Sequence, residues 1–414
     1  MDAEEIVIGK SNLVIDQTGK SQSRTLPFDL RKIHVEVFRV ENAAISYRDD
    51  VSKCTFSGSV SLQQLKIDKP FQKKNIHFTS LRGNLSGVDY SGKGYHRAEI
   101  KSVELDSKKI RIGQLKVIPQ LSKYELGRRL RHQADWIQAN VATIEIIKPD
   151  INQLLQQRLL AEKIVISDGK AYIFRDRRLP RLQKIIPLPV DYLKSLPFDL
   201  RISTVQLTRS AVAYEEYPQG GYGQTGILRI ERISASMSPV INHPLATDPD
   251  HITMAVKGSI MGSGTAHGLV VIPFAKSKPY RIKGAIERLE LTKLNSSSEN
   301  LGKIRIKAGF LDYLSFDFTM TEQHSTGKIV GAYHRLIIQQ LKKHTEEKNV
   351  ADFASFMLRH LIIPLNKDKS LPERKRTGLV NYQRDPSRFV SHYFLQSLLM
   401  GVKKSFTLGF LLPK

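Results

Sequence analysis

The sequence predicts a mainly β protein: an elongated, curled antiparallel sheet built from repeated strand layers, with an apolar inner face and a few helices, including C-terminal ones. Three observations lead there. Apolar and polar residues alternate with period two over many stretches, long blocks of sequence recur within the chain, and helical spacing is confined to a few short segments. The chain has 414 residues, 41% of them hydrophobic and 25% charged, a globular composition with ample material for a core.

The strands come first. Ile110 and Ile112 alternate with Lys109 and Arg111. Ile252, Met254 and Val256 alternate with Thr253, Ala255 and Lys257. The same pattern holds for Tyr280 and Ile282, for Ile304 and Ile306, and for Leu314, Phe316, Phe318 and Met320. Period two with a polar opposite side means antiparallel sheet with one wet face. Lys and Arg on that wet face blunt the edges. Glycine-rich stretches at Gly87 to Gly94 and Gly258 to Gly268 read as hairpin turns. The first imitates a phosphate-binding loop, but Gly94 stands where a magnesium-ligating hydroxyl belongs and a strand pattern follows where a helix should open.

Four helices are predicted. One spans residues 124–140, with Leu126, Leu130, Ala134 and Ile137 on one side and Arg128, Arg129 and Arg131 beside them. A short one follows Pro149-Asp150 over residues 151–160. A third covers 350–363 and stops at Pro364. The last runs over 386–402, with Asp385 as N-cap and Pro386 as its first residue. A Lys/Arg/Pro-rich linker over 366–376 separates the last two.

The repeat sets the organisation. Leu26-Pro27-Phe28-Asp29-Leu30-Arg31 recurs at Leu196 to Arg201, and Ala3-Glu4-Glu5-Ile6-Val7-Ile8 is answered by Ala161-Glu162-Lys163-Ile164-Val165-Ile166. Ala43 to Tyr47 pairs with Ser210 to Tyr214. About a dozen extra residues in the second copy form an Arg- and Pro-rich insertion at 175–181. The expected units are a first β-repeat over 1–160, a second over 161–345, and a basic linker with terminal helices over 346–414.

Lys plus Arg outnumber Asp plus Glu by 64 to 40, so the formal charge is +24. An anionic partner follows: a membrane surface, an acidic protein or nucleic acid. Nucleic acid fits least, because the charge is spread over many strands, aromatics are 8% of the chain, and no reader motif is present. Arg128, Arg129 and Arg131, with Trp136 nearby, are the candidates for an anionic surface, although a helix packed on the sheet with a solvated basic side gives the same pattern. Cys54 is the one cysteine and reads as a half-buried strand residue. The histidines are scattered without metal-ligand spacing, and Glu215-Glu216 and Glu346-Glu347 read as solvated charge in turns or linker. No catalytic constellation, metal site or cofactor is expected. No stretch reaches roughly 20 consecutive apolar residues, as a membrane-spanning helix requires.

The stretch Ile304-Arg305-Ile306-Lys307-Ala308-Gly309-Phe310-Leu311-Asp312-Tyr313-Leu314-Ser315-Phe316, followed by Gly331-Ala332-Tyr333-His334-Arg335-Leu336-Ile337-Ile338, resembles the C-terminal module of AsmA-like bacterial envelope proteins. The approach to it, Gly284 to Asn295, and the repeated blocks upstream fit the same family in its Bacteroidetes-type form, which is similar to TamB- and YhdP-like proteins. The resemblance implies an elongated β-structure in the periplasm, an inner-membrane helix at the N-terminus of the full-length form, and a part in phospholipid traffic and outer-membrane lipid homeostasis. This sequence opens at Met1-Asp2-Ala3-Glu4 without such a helix, so the anchor of the full-length form is expected outside it.

The physical expectation is a groove. An apolar sheet face must be covered, and acyl chains can cover it at about 0.8 kcal/mol per buried CH₂. The candidate lining residues are Ile252, Met254, Val256, Ile304, Ile306, Leu314, Phe316, Phe318 and Met320, with Lys and Arg drawing lipid phosphates to the rim. Two alternatives stand beside it. One is an envelope scaffold with a closed core and a basic surface that docks other envelope proteins. The other is an enzyme acting on an anionic polymer, which would need a carboxylate cluster in a cleft.

Overall fold

The structure, a computed structural model, describes residues 2–17, 32–68, 75–219, 224–302, 304–341 and 376–406. Nineteen strands form one sheet. In chain order they are β1 (Asp2–Ile8), β2 (Asn12–Asp16), β3 (Lys32–Arg48), β4 (Lys53–Asp68), β5 (Ile76–His77), β6 (Ser80–Ser91), β7 (His96–Asp106), β8 (Lys109–Pro119), β9 (Asp135–Pro149), β10 (Arg158–Asp176), β11 (Asp199–Tyr217), β12 (Gly226–Ser238), β13 (Val240–Ile241), β14 (His251–Ile260), β15 (Gly264–Pro273), β16 (Tyr280–Glu290), β17 (Ile304–Met320), β18 (His324–Gln340) and β19 (Arg376–Gln383). Helices α1 (Lys123–Leu130), α2 (Ile151–Leu155), α3 (Pro189–Lys194), α4 (Asn295–Gly302) and α5 (Val390–Phe406) join or cover them.

The long strands pair with their chain neighbours, so the sheet is a meander with short-range connections. Two joints break that rule. β1 and β2 lie parallel to β3, and β10 lies parallel to β11. The sheet is therefore mixed rather than purely antiparallel. Both parallel joints fall on the repeated blocks, in the same register. Ala3 opposes Val35 and Asn12 opposes Ala44 in the first copy; Ala161 opposes Ile202 and Lys170 opposes Ala211 in the second. The offsets agree: 161 − 3 = 170 − 12 = 158, and 202 − 35 = 211 − 44 = 167. The first copy of Leu-Pro-Phe-Asp-Leu-Arg, at 26–31, lies outside the described residues.

A parallel joint needs a crossover, and in the second copy the Arg/Pro-rich insertion supplies it. Residues 177–198, including α3, run from the end of β10 to the start of β11 as a strap.

The long strands are bent in the middle. A line of small side chains crosses seven strands in direct register: Ser57, Ser86, Ser102, Gly113, Thr143, Ser167 and Thr208. Left-handed residues sit beside this line on β3, β6, β8, β10, β11 and β12: Asn42, Gly87, Gln114, Asp168, Arg209 and Arg232. Bulges of this kind turn a strand and move its following side chains to the other face. Val88 and Ile100, on one side of the bend, share a packed cluster with Val103 and Ile110 on the other, so the sheet bends towards its apolar face.

The helix expected over 124–140 is shorter. Ser122 and Glu125 form a capping box at its start, Leu130 ends it, and Arg131 is left-handed. Residues 135–149 are strand β9, which adds to β10 with Ile137 opposite Ile173. The pairing gained along β9 outweighs a chance helical spacing. α2 likewise ends at Leu155, and β10 begins at Arg158. The last helix starts at Val390, because Asp385 accepts from the Ser387 amide and hydroxyl in a turn instead of capping a helix. The helix expected over 350–363 and the linker over 366–375 lie outside the described residues.

Candidate apolar trough

The register brings the apolar residues into rows that cross the whole sheet. One row reads Ile8, Val40, Val60, Gly83, Leu105, Ile110, Ile146, Ile164, Val205, Met237, Met254, Val270, Ile282, Phe318, each residue directly opposite the next. It crosses fourteen strands without a polar interruption. At about 4.8 Å between strands this row is about 60 Å long. A second row, two residues along each strand, runs through Val103, Ile112, Ile144, Ile166, Leu207, Ala235, Val256, Gly268, Gly284 and Phe316.

Beyond the bend a third row faces the first two: Tyr90, Ala98, Val117, Ala139, Ala171, Val212, Ile230 and Ile260. Ala98, Val117, Ala139, Ala171 and Val212 of this row are half-buried while their sequence neighbours Arg97, Lys116, Asn140 and Lys170 are exposed; Tyr90 and Ile230 of the row are exposed too. The bent sheet is thus a trough with two apolar walls and a charged exterior. Charges on the exterior pair across strands, as Lys109 with Glu145 at 2.5 Å and Lys283 with Asp317 at 3.2 Å.

The trough is covered unevenly. Along β8 to β14 the row residues Ile112, Ile144, Ile146, Ile164, Val205, Met237 and Met254 are only half-buried. An open cavity of about 890 Å³ lies over β11 to β17, lined by Leu207, Ala235, Val256, Gly268, Gly284 and Phe316 among others. Its size suits an extended apolar ligand. Its floor is closely packed at Gly284, where a Cβ would sit 2.3 Å from the His267 carbonyl oxygen and 2.5 Å from the Phe316 ring.

At the β16 to β19 end the polypeptide closes the trough itself. Tyr393, Leu398 and Val402 of α5 pack with Phe316, Phe318, Met320, Ile329 and Val380. The Phe394 ring lies 5.6 Å from Phe316 and 5.7 Å from Phe318, and the Ser325 and Ser397 hydroxyls meet at 2.6 Å. The strap holds this cap: Arg181 pairs with Asp385 at 3.0 Å, and the Ile186 amide donates to the Pro386 carbonyl at 2.9 Å. Burial would raise the Asp385 carboxyl, but the Ser387 hydroxyl and amide and the Arg181 guanidinium bring it down to about 2.

The expected lining residues divide accordingly. Ile252, Ile306, Leu314, Phe316, Phe318 and Met320 are buried, with Phe318 2% and Met320 1% exposed. Most of them belong to the core under α5 and the strap. Met254 and Val256 lie on the uncovered stretch. Ile304 opposes Gln340 in the ladder, and its side chain lies outside the described set. The open row over β8 to β12 was not singled out from sequence, although Ile110 and Ile112 gave its signal.

Arg128, Arg129 and Arg131 are all exposed on and just after α1. The helix packs on the end of β10 through Leu126 and Tyr124, whose ring meets Phe174 edge-on at 5.0 Å. Trp136 is a β9 residue and donates to the Leu121 carbonyl at 2.8 Å.

Glu215 and Glu216 are not solvated turn residues. They end β11, buried, in an ionic cluster. Glu215 accepts from Lys123 at 2.8 Å, from Thr225 at 2.5 Å and from the Tyr172 hydroxyl. Burial pushes Glu215 up, and these three donors, Lys123 first, bring it below the ordinary range. Glu216 binds Arg177 at 3.0 Å and Tyr214 at 2.8 Å, and burial raises the Tyr214 phenol. The Arg-rich insertion that supplies Arg177 was the available signal. Each of these carboxylates is held by cations and hydroxyls, as structural pairs are.

Among the described residues no three His, Cys, Asp or Glu side chains come together as a metal site, and no helix is long and apolar enough to cross a membrane. Cys54 lies half-buried in β4, and burial raises its thiol. No family model matches the chain, and no curated protein matches it either.

Proposed function

We propose that the protein is a non-enzymatic lipid carrier that holds phospholipid acyl chains along its trough and passes them from strand to strand, in the bacterial envelope setting that its AsmA-like resemblance implies. One observation carries this reading: the unbroken apolar row through fourteen strands, half-buried along its middle. A row of that length needs a cover, and hydrocarbon provides one without specific polar contacts. Sliding along it costs little, because each strand offers the next the same chemistry. The exposed Arg128, Arg129 and Arg131 and the other surface cations attract anionic headgroups or a membrane surface.

The test is lipid extraction and native mass spectrometry of the purified protein. Co-purifying phospholipid, lost when Val205→Asp or Ile164→Asp interrupts the uncovered row, is the expected result. A protein that binds no lipid and keeps its fold in either variant refutes the carrier. That outcome would leave the second reading, an envelope scaffold with a docking surface, which the sealed core under α5 favours.

A further inference from the structure

The strap between β10 and β11 is pinned at two places and bare between them. At its start the Gln133 amide donates to the Pro180 carbonyl and the Gln133 side chain to the Leu179 carbonyl, both at 2.9 Å. Farther on, the Ile186 amide donates to the Pro386 carbonyl at 2.9 Å, and the Ile186 carbonyl accepts from the Arg384 guanidinium at 2.5 Å. Leu188 and Val190 then enter the core. The residues between the two pins, 182–185, are all exposed and belong to no helix or strand. Leu182 is 53% exposed and Ile185 75%. Across the Ile186–Pro386 bond stands Phe389, just before α5 and 46% exposed. Three large apolar side chains therefore meet water on one surface, and the pinned backbone keeps them there. Exposed apolar groups gathered in this way mark an interaction site.

The surroundings are cationic. Over residues 181–187 and 384–389 the cations are Arg181, Lys184, Arg384 and Arg388, and the one carboxylate is Asp385, a net charge of 4 − 1 = +3. Arg181 at 3.0 Å and Arg388 at 3.6 Å share that carboxylate. Arg384 donates to the backbone carbonyls of Ile186 and Glu322, which carry no charge to cancel its own. Lys184 is exposed between Leu182 and Ile185. We propose that this surface docks on an anionic lipid bilayer. Leu182, Ile185 and Phe389 enter the boundary between headgroups and acyl chains, and Lys184 and the arginines meet the phosphates. The bilayer boundary offers hydrocarbon and negative charge at nearly one depth, which is the complement of an apolar set among uncompensated cations. The pinned backbone also lowers the ordering cost of docking. Because α5 packs on β17 to β19, docking brings that end of the trough to the membrane. Docking needs no cargo, so this inference stands apart from the carrier reading.

The experiment is co-sedimentation of the full chain with vesicles of phosphatidylcholine mixed with phosphatidylglycerol, against vesicles of phosphatidylcholine alone. The protein is expected to bind the anionic vesicles, and Ile185→Asp to weaken that binding about tenfold. Lys184→Glu should weaken it too and flatten its dependence on salt. Both side chains are exposed, so the urea-unfolding midpoint should not move in either variant. A second measurement places an environment-sensitive fluorophore on Ile185→Cys in a Cys54→Ser background. It should brighten with anionic vesicles, while the same label on Lys93→Cys, an exposed residue of the β6–β7 turn, should not. Absence of binding to anionic vesicles, full binding by folded Ile185→Asp, or equal brightening at the two labelled positions overturns the proposal. Full binding by Ile185→Asp that is lost when Arg128, Arg129 and Arg131 are changed to Glu would move the docking surface to α1.

Discussion

Val256→Asp tests the trough where its geometry is best defined. Val256 lies in the second apolar row between Ala235 and Gly268 and lines the 890 Å³ cavity. A carboxylate there removes the hydrocarbon contact of one strand crossing. At about 4.8 Å per strand, about four methylenes cross that spacing. Each is worth about 0.8 kcal/mol, so the local loss is about 3 kcal/mol. That corresponds to about a hundredfold in occupancy of the central segment. Passage is a series process, so transfer of a fluorescent phospholipid between donor and acceptor vesicles should fall by a similar factor. Val256 is half-buried on an uncovered face, so the cost to stability is small. Val256→Leu, which keeps the row apolar, should transfer normally. Unchanged transfer by a folded Val256→Asp protein would refute hydrocarbon conduction along this face.

Phe318→Ala, in the sealed end, should act on stability instead, lowering the urea-unfolding free energy by about 3–5 kcal/mol. Gly284→Ala should cost about 1–3 kcal/mol in the same assay, because the added Cβ meets a backbone carbonyl that cannot move aside. Lys123→Met leaves Glu215 buried without its cation and should destabilise by about 3 kcal/mol, most clearly at neutral pH. Asp385 gives a pH prediction: its carboxyl is depressed to about 2 in the folded protein. Its stabilisation is therefore full above its unfolded value of about 4 and is lost as pH falls from there through about 2. Asp385→Asn should flatten the acid limb of a melting-temperature profile over that window.

Much of the sheet was legible because period two is a local signal. Ile110 with Ile112 and Ile252 with Met254 and Val256 announce strands without reference to any partner, and the repeated blocks announce that two regions share a register. The bend was not legible. Its left-handed positions are mostly Asn, Gln, Asp and Arg rather than Gly, and the small residues along it are ordinary strand serines until the register aligns them. The segment 124–140 misled because Leu126, Leu130, Ala134 and Ile137 satisfy helical spacing, while pairing with β8 and β10 decides the conformation of its second half. Glu215 and Glu216 misled for the same reason. Adjacent carboxylates look solvated until Lys123 and Arg177 arrive from distant segments. Which apolar residues α5 covers likewise depends on contacts between β17 and a helix some seventy residues later.

The uneven cover of the apolar face bears directly on how such a sheet can be stable and still carry cargo. A sheet sealed along its whole length by helices would have a complete core and nowhere for hydrocarbon. A sheet bare along its whole length would leave a row of about 60 Å in water. Here the bend brings Val88 and Ile100 against Val103 and Ile110, and Ile151 of α2 joins the same cluster, which shields row residues from β6 to β9. α5, locked by the strap through Arg181 and Asp385, gives one end a protein core that does not depend on ligand. The opposite end, at β1 and β2, has neither helix nor strap among the described residues, and its apolar side chains Val7, Ile8, Leu13 and Val14 are exposed. Among the described residues the sheet is thus covered by protein at its β17 to β19 end and carries exposed apolar side chains at β1 and β2.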